Sequence, residues 1–181
     1  INTKKYDFRP KKRLIDNSKR ENYLFNSTIN GIEEADLILL IGTNPRFEAT
    51  MLNARIRKAF VNNKIKIVSL NNVGDLTYDY QSLDGRTQTI KDIVDNKHKM
   101  STEIINSKNP LIILGESFQR LKSANYLFHS LKEFLYKNKK YTQVWKPLNL
   151  LSVDASTVGN LDLDLIDNSN TILDDLNKNK F

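Results

Sequence analysis

The stretch "DLILLIGTNPRFEA", residues 36–49, decides the fold class of this 181-residue chain. Five apolar residues, 37–41, precede Gly42, which is the pattern of a strand covered on both faces. After Gly42, Asn44 is suited to cap a helix and Pro45 to begin it, because the first helical residues have free N–H groups. In an open α/β protein, a strand-to-helix turn of this kind is a common position for a phosphate or nucleotide.

The residues that follow predict a strand–helix–strand unit. Helical spacing runs from Pro45 to about Val61, and its apolar stripe is expected to consist of Met51, Leu52, Ile56, Ala59 and Phe60. The segment "KIKIVSL", residues 64–70, alternates polar and apolar side chains and predicts a second strand. Because the two strands are joined through a helix, they are expected to be parallel, with a right-handed crossover.

The fold class predicted for the chain is α/β, as a Rossmann-like three-layer fragment with a short parallel sheet flanked by helices. Three strands are expected, near residues 36–42, 64–70 and 110–115. Apart from the helix after Pro45, helical segments are expected in a short stretch ending near Gly31, at 87–94, at 101–107 with Ser101 as the cap, at 118–138, in part after Pro147, and over 172–181. A sheet of three strands would leave its edges open, so the isolated chain is expected to aggregate.

Positive charge is concentrated at the start of the chain. The first 20 residues carry eight basic and two acidic side chains, a local charge of +6, whereas the other 161 carry 20 basic and 19 acidic ones. The eight basic residues are Lys4, Lys5, Arg9, Lys11, Lys12, Arg13, Lys19 and Arg20. The chain is therefore divided into a basic extended arm, residues 1–20, and a single truncated α/β domain, residues 21–181. Such an arm is more often a solvated extension or a docking segment than a nucleic-acid reader, and no nucleic-acid partner is predicted.

Composition excludes several kinds of functional site. The chain has no Cys, which excludes thiolate metal sites, iron–sulfur ligation and disulfides within it. His98 and His129 are far apart, and the acidic residues near the C-terminus do not follow the spacing of a calcium loop: Asp162, Asp164, Asp167, Asp174 and Asp175. The longest apolar runs, 37–41 and 111–114, are much shorter than the roughly 20 residues of a membrane-spanning helix. No catalytic residue, metal ligand or direct membrane span is predicted.

The turn formed by Gly42, Thr43, Asn44 and Pro45 remains as the candidate site. Neither the dinucleotide motif G-x-G-x-x-G nor the P-loop motif G-x-x-x-x-G-K-[ST] is present. The second strand is followed by Asn71, where a ribose-binding fold has Asp or Glu. The residues by themselves favour a structural turn, with a nucleotide site as the alternative.

Several runs of residues resemble a known family. They occur in this order: Asn-Tyr-Leu at 22–24, Glu-Glu-Ala-Asp at 33–36, Gly-Thr-Asn-Pro-Arg-Phe-Glu-Ala at 42–49, Asn-Ala-Arg-Ile-Arg-Lys at 53–58, "DLTY" at 75–78, Trp145-Lys146, and Asn149 to Leu151. With these runs the chain resembles, over residues 20 to about 165, the 75-kDa iron–sulfur subunit of mitochondrial respiratory complex I, the NADH:ubiquinone oxidoreductase. The resemblance covers a fragment of the C-terminal region of that subunit, which is similar to molybdopterin oxidoreductases.

The resemblance implies a vestigial cofactor site. In active molybdopterin relatives, a Gly-x-Asn-Pro turn lies against the guanine-dinucleotide part of the cofactor, and Gly42–Pro45 matches that turn. Those relatives place an Asp-Pro with basic and hydroxyl residues after the next strand, whereas this chain has "NNVGDL" at 71–76. The complex I branch lacks the cofactor. No cofactor is therefore expected on this chain, and the iron–sulfur clusters are expected on a partner polypeptide.

The resemblance also implies a function. The chain is expected to be a structural, non-catalytic piece of the complex I peripheral arm, on the matrix side of the mitochondrial inner membrane, supporting electron transfer from NADH to ubiquinone. Its expected partners are other peripheral-arm subunits, above all the cluster-bearing N-terminal part of the same subunit, reached through the basic arm and the 71–86 connection. The alternative is a nucleotide- or molybdopterin-binding domain that uses the Gly42–Pro45 turn. A nucleic-acid role for residues 1–20 is a third, weaker possibility.

Overall fold

The structure is a computed structural model that describes residues 16–163, 165 and 177–178. Two units divide the chain: Leu14–Val153 contains the sheet, and the described residues from Asp154 onward belong to the second unit. Most of the predicted basic arm lies outside the described residues. The same holds for most of the helix expected over 172–181 and for four of the acidic residues considered near the C-terminus: Asp164, Asp167, Asp174 and Asp175.

The sheet of the first unit has five parallel strands. They are β1 (Leu37–Ile41), β2 (Lys66–Ser69), β3 (Gln81–Ser82), β4 (Pro110–Leu114) and β5 (Leu148–Leu150). Their order across the sheet is β3-β2-β1-β4-β5, and every neighbouring pair is parallel. The α/β class, the three predicted strands and the parallel crossover are confirmed. The expectation of only three strands is wrong.

The two strands that the sequence did not predict form the edges of the sheet. The strand β3 has two residues, both exposed and polar, and β5 has three. The prediction of a partly helical segment after Pro147 is wrong, because residues 148–150 form a strand that pairs with β4. There the buried Asn149 accepts a hydrogen bond from the backbone N–H of Ser27 at 2.8 Å. Since both edge strands are short, the sheet presents few unpaired backbone groups, which removes the reason to expect aggregation through open edges.

Helices surround the sheet. They are α1 (Thr28–Gly31), α2 (Pro45–Glu48), α3 (Thr50–Asn63), α4 (Thr87–Val94), α5 (Lys99–Asn106), α6 (Glu116–Gln119), α7 (Ala124–Lys137) and, in the second unit, α8 (Thr157–Asp162). Two helices expected to be continuous are interrupted: the non-helical backbone of Ala49 separates α2 from α3, and residues 120–123 separate α6 from α7.

The cap of α5 is His98, whose Nδ1 accepts from the N–H of Met100 at 3.1 Å. Ser101, the predicted cap, instead donates to the carbonyl of Ile93.

One face of the sheet packs against α3. The core there joins Ile38 and Leu40 of β1 with Leu52, Ile56 and Ala59 of α3. Met51, which was expected to face the sheet, is 75% exposed. The reason is angular, because one residue advances a helix by about 100° and so directs Met51 away from the face that Leu52 shares with the core.

The opposite face of the sheet is covered by α4, α5 and α7. Side chains alternate along a strand, so Leu37, Leu39 and Ile41 point away from α3. The helix α4 contacts both α5 and α7. The buried side chains of α7 are Ala124, Leu127, Phe128, Leu131, Phe134 and Leu135. Within the described residues, no helix has the length and apolar character needed to cross a membrane.

Candidate functional site

The predicted turn lies where the strand order reverses. In this order the connection from β1 runs toward one edge of the sheet and the connection from β4 runs toward the other. A crevice therefore forms between the carboxyl ends of β1 and β4. Gly42 follows β1 and Gly115 follows β4, and the two loops are in direct contact. The N–H of Gly115 donates to the carbonyl of Ile41 at 2.9 Å, and that of Ser117 donates to the carbonyl of Gly42 at 3.1 Å. The loops after β1 and β4 therefore converge at the carboxyl edge of the sheet.

The two glycines allow these loops to touch. Gly42 has a φ of +63°, and a Cβ added to it would lie 2.4 Å from the backbone nitrogen of Phe118. A Cβ added to Gly115 would lie 2.3 Å from Cβ of Thr43. Both distances are far below van der Waals contact, so a side chain at either position would force the loops apart. The absence of a side chain at Gly42 and at Gly115 therefore allows the two loops of this chain to pack against each other.

The start of α2 is closed by its own side chains. Asn44 Oδ1 accepts from the N–H of Arg46 at 3.2 Å, and Pro45 is the first helical residue, which confirms the predicted cap. Glu48 reaches back over the same turn: its Oε1 accepts from the N–H of Asn44, and its Oε2 accepts from the hydroxyl of Thr43, both at 2.9 Å. A carboxylate of the chain thus pairs with the polar groups of the turn that precedes α2.

The connection after β2 packs over the turn. Asn44 Nδ2 donates to the carbonyl of Val73 at 2.9 Å, and Arg46 Nη1 lies 2.8 Å from the carbonyl oxygen and 2.5 Å from Oδ2 of Asp75. Hydrogen bonds from the N–H of Thr77 and from Arg46 hold the pKa of the Asp75 carboxyl below its usual value. The amide and guanidinium groups at the turn are therefore engaged by the connection and by the cap.

Further along, the same connection is buried against α3. Tyr78 donates to Asn53 Oδ1 at 2.7 Å, and Asn53 Nδ2 donates to the carbonyl of Leu76 at 3.0 Å. All three side chains are buried, and burial raises the pKa of Tyr78. The sequence suggested this connection as a contact surface, but the part containing Leu76 and Tyr78 belongs to the core.

The crevice at the carboxyl edge is small. Its volume is about 100 Å³, and its walls include Gly42, Asn71, Gly85 and Phe118. Asn71 stands where a ribose-binding fold has Asp or Glu. It packs closely against Gly85, because a Cβ added to Gly85 would lie 2.4 Å from Asn71 Oδ1. Pockets for small molecules and cofactors usually measure about 300–1,000 Å³. The crevice is therefore smaller than such pockets.

The other residues considered from sequence have structural contacts. His98 caps α5, and Nε2 of His129 lies 3.3 Å from Oδ2 of Asp16. Asp162, the one described member of the C-terminal acidic group, is in the last turn of α8. In the part of the chain that the structure describes, no cluster of three or more His, Cys, Asp or Glu residues could hold a metal ion.

An apolar groove beside α2 is the feature that the sequence did not predict. It has a volume of about 490 Å³, and its apolar walls are formed by Phe25, Ile29, Phe47, Ala49, Met51 and Leu151. Phe47 is 80% exposed, and Ile29 is 52% exposed. Helical periodicity predicted that Met51 faces the sheet, which is wrong, and it predicted no orientation for Phe47. The angle at which α2 and α3 meet depends on the interruption at Ala49.

Comparisons with known proteins agree with the resemblance found in the sequence. The family model described as molybdopterin oxidoreductase matches residues 2–181, which includes the basic stretch at the start of the chain. The chain is 37% identical, over 163 residues, to the mitochondrial NADH-ubiquinone oxidoreductase 78 kDa subunit of Candida albicans; the match covers 90% of this chain and 22% of that protein.

Two further relatives come from distant organisms. The mitochondrial NADH dehydrogenase [ubiquinone] iron-sulfur protein 1 of Solanum tuberosum is 34% identical, with 86% of this chain and 21% of the relative covered. The NADH-ubiquinone oxidoreductase 75 kDa subunit of Reclinomonas americana is 36% identical, with 80% and 21% covered. The chain thus spans about one fifth of the length of these relatives.

Proposed function

The chain belongs to the molybdopterin oxidoreductase family, and from that premise we propose that it is a structural, non-catalytic part of the peripheral arm of mitochondrial complex I. In this proposal it supports electron transfer from NADH to ubiquinone without taking part in the chemistry. The similarity to 75/78-kDa subunits of NADH-ubiquinone oxidoreductase over most of the chain supports membership in the complex.

The position of Glu48 is the observation that carries the non-catalytic role. Its carboxylate accepts from the N–H of Asn44 and the hydroxyl of Thr43, two donors of the turn that would otherwise be open to a phosphate. A bound anion would have to displace this carboxylate and leave it near a second negative charge, at a cost in both hydrogen bonding and electrostatics. The turn formed by Gly42, Thr43, Asn44 and Pro45 is therefore proposed to be vestigial.

The molybdopterin cofactor that the family implies does not fit the described residues at this turn. The donors are satisfied by the protein, the crevice measures about 100 Å³, and Phe118 packs against Gly42. We derive no reaction step through such a group, and no catalytic residue or metal ligand is proposed on this chain. In the proposed assembly, electrons pass through iron–sulfur clusters on a partner, because the chain has no Cys to ligate one.

The proposed location is the matrix side of the inner membrane, in contact with neighbouring peripheral-arm subunits. The main partner is the cluster-bearing N-terminal part of the same subunit, which the chain would cover and brace. This contact is expected whether that part is encoded with this chain or as another polypeptide. The mitochondrial relatives support this location.

A nucleotide- or molybdopterin-binding domain is the alternative function. It requires a ligand beside Asn44, where Glu48 and the carbonyl of Val73 already pair with the available donors. It also requires a larger cavity than the crevice provides. These contacts favour the structural role.

Co-migration with the native complex tests the proposal. Complex I is separated from solubilised mitochondria of the source organism by native electrophoresis, and this chain is quantified by mass spectrometry against the other subunits. We expect one copy per complex. A chain that migrates apart from complex I would contradict the proposal.

A ligand assay separates the two functions. The purified chain is heated with and without GDP, as a probe for the dinucleotide, and unfolding is followed by circular dichroism. The structural role predicts an unchanged melting temperature. Protection by GDP in the wild-type chain would favour the alternative.

A further inference from the structure

We propose that the apolar groove beside α2 is a docking surface for apolar side chains from the part of the 75/78-kDa subunit that lies outside the region matched by this chain. The inference rests on the proposed function and deepens it by naming the contact surface. It starts from Phe47 and Met51, two large apolar side chains that are 80% and 75% exposed on the same groove.

The chemistry of the groove selects an apolar occupant. Glu48 is the one charged residue among those that line it, and its carboxylate is held by Thr43 and Asn44. The groove therefore offers no free charge to an anion or a cation. Contiguous exposed apolar surface of this kind marks a contact site, and aromatic residues and Met are enriched in the buried centres of interfaces.

The walls of the groove are held in place before any partner arrives. Glu48 ties α2 to the turn before it, and the ion pair of Arg46 with Asp75 ties α2 to the connection after β2. On the next helix, Leu52 and Ile56 fix α3 to the core and so set the position of Met51. A surface that is already ordered loses little conformational entropy on binding.

The greater length of the relatives indicates which polypeptide segment occupies the groove. The matched region is 22% of the Candida albicans subunit, so about four fifths of that chain lies outside it. Segments that are held within one assembled complex are at high effective concentration, so a groove of moderate size is sufficient to keep them together.

Photo-crosslinking within the assembled complex tests the occupant. A benzoyl-phenylalanine is introduced at position 47 in one strain and at position 61 in another, complex I is purified from each, and crosslinked peptides are identified by mass spectrometry. Val61 is the matched control because it is exposed on α3 but does not line the groove. We expect position 47, and not position 61, to crosslink to a segment of the 75/78-kDa subunit outside the matched region.

Other crosslinks from position 47 would overturn the inference. These are a crosslink to a second copy of the chain, to residues 164–181 of the chain itself, or to a different subunit, and the absence of any crosslink from an efficiently activated probe. Each of these results leaves the proposed function standing as long as the chain co-migrates with complex I. Loss of co-migration for the wild-type chain would instead contradict the proposed function.

Incorporation into complex I of variants with uncharged polar substitutions is the second measurement. Phe47→Gln combined with Met51→Gln is expected to reduce incorporation into complex I at least tenfold, whereas Val61→Gln is expected to leave it within twofold of wild type. Both changes place a good helix former at exposed positions, so the melting temperatures of the isolated chains should stay close to wild type. Normal incorporation of the double variant would contradict the proposal.

Discussion

The crevice at the carboxyl edge of the sheet and the apolar groove beside α2 differ in what fills them. In the crevice, Phe118 packs on Gly42, and the donors of the adjacent turn are paired with Glu48 and with the carbonyl of Val73. The groove is about five times larger, at about 490 Å³ against about 100 Å³, and Phe47 is open to solvent on its wall. The turn that the sequence suggested as a vestigial ligand site has its polar groups paired within the chain, whereas the groove presents apolar surface suited to protein contact.

The largest expected effect is at the closed crevice. Gly42→Ala adds a Cβ 2.4 Å from the backbone of Phe118 at a φ of +63°, so left-handed strain and overpacking should together lower the free energy of unfolding by about 4 kcal/mol. Gly74→Ala is the control, because its φ of +79° carries similar strain but no atom lies within 4 Å of the added Cβ. It should cost about 1 kcal/mol in urea unfolding. Equal losses for the two variants would show that the crevice is not tightly closed.

The two sides of α3 provide the next contrast. Leu52→Ala removes a buried side chain from the core and should lower the free energy of unfolding by about 3 kcal/mol. Met51→Ala, one residue earlier, should change it by less than about 0.5 kcal/mol, since Met51 is exposed on the groove. Thermal unfolding of the isolated chain measures both. A large loss for Met51→Ala would mean that the groove is filled by the chain itself.

Glu48 is expected to have an intermediate effect. Glu48→Ala leaves the hydroxyl of the buried Thr43 and the N–H of Asn44 without their acceptor, which should lower the free energy of unfolding by about 1.5 kcal/mol. Glu48→Gln keeps one acceptor oxygen, so it should recover part of that loss. Identical urea midpoints for wild type and Glu48→Ala would show that the carboxylate does not hold the turn.

The smallest expected effect is at the groove in the isolated chain. Phe47→Gln removes an exposed ring that the chain does not bury, so the free energy of unfolding should stay within about 0.5 kcal/mol of wild type. The same substitution should reduce self-association, as measured by analytical ultracentrifugation, because it removes apolar surface from solvent contact. Unchanged self-association would mean that any aggregation of the chain arises elsewhere.

The central fold and the turn could be predicted because their information is local. The continuous apolar run of β1 and the Asn44-Pro45 helix start each follow from the chemistry of neighbouring residues. The edge strands β3 and β5 could not be predicted, since two or three residues contain no periodicity and become strands through pairing with β2 and β4. The interruption at Ala49 was missed for a related reason, because no Gly or Pro marks it.

The sequence by itself determined the α/β class, the capped turn after β1 and the likeness to complex I subunits, because short-range patterns and residue identities are sufficient for each. Only the tertiary structure decided that Phe118 packs on Gly42 and that Phe47 and Met51 face outward together. Those facts depend on the angles at which helices and loops meet. Such angles are set by packing between residues that are distant in sequence, which no local pattern encodes.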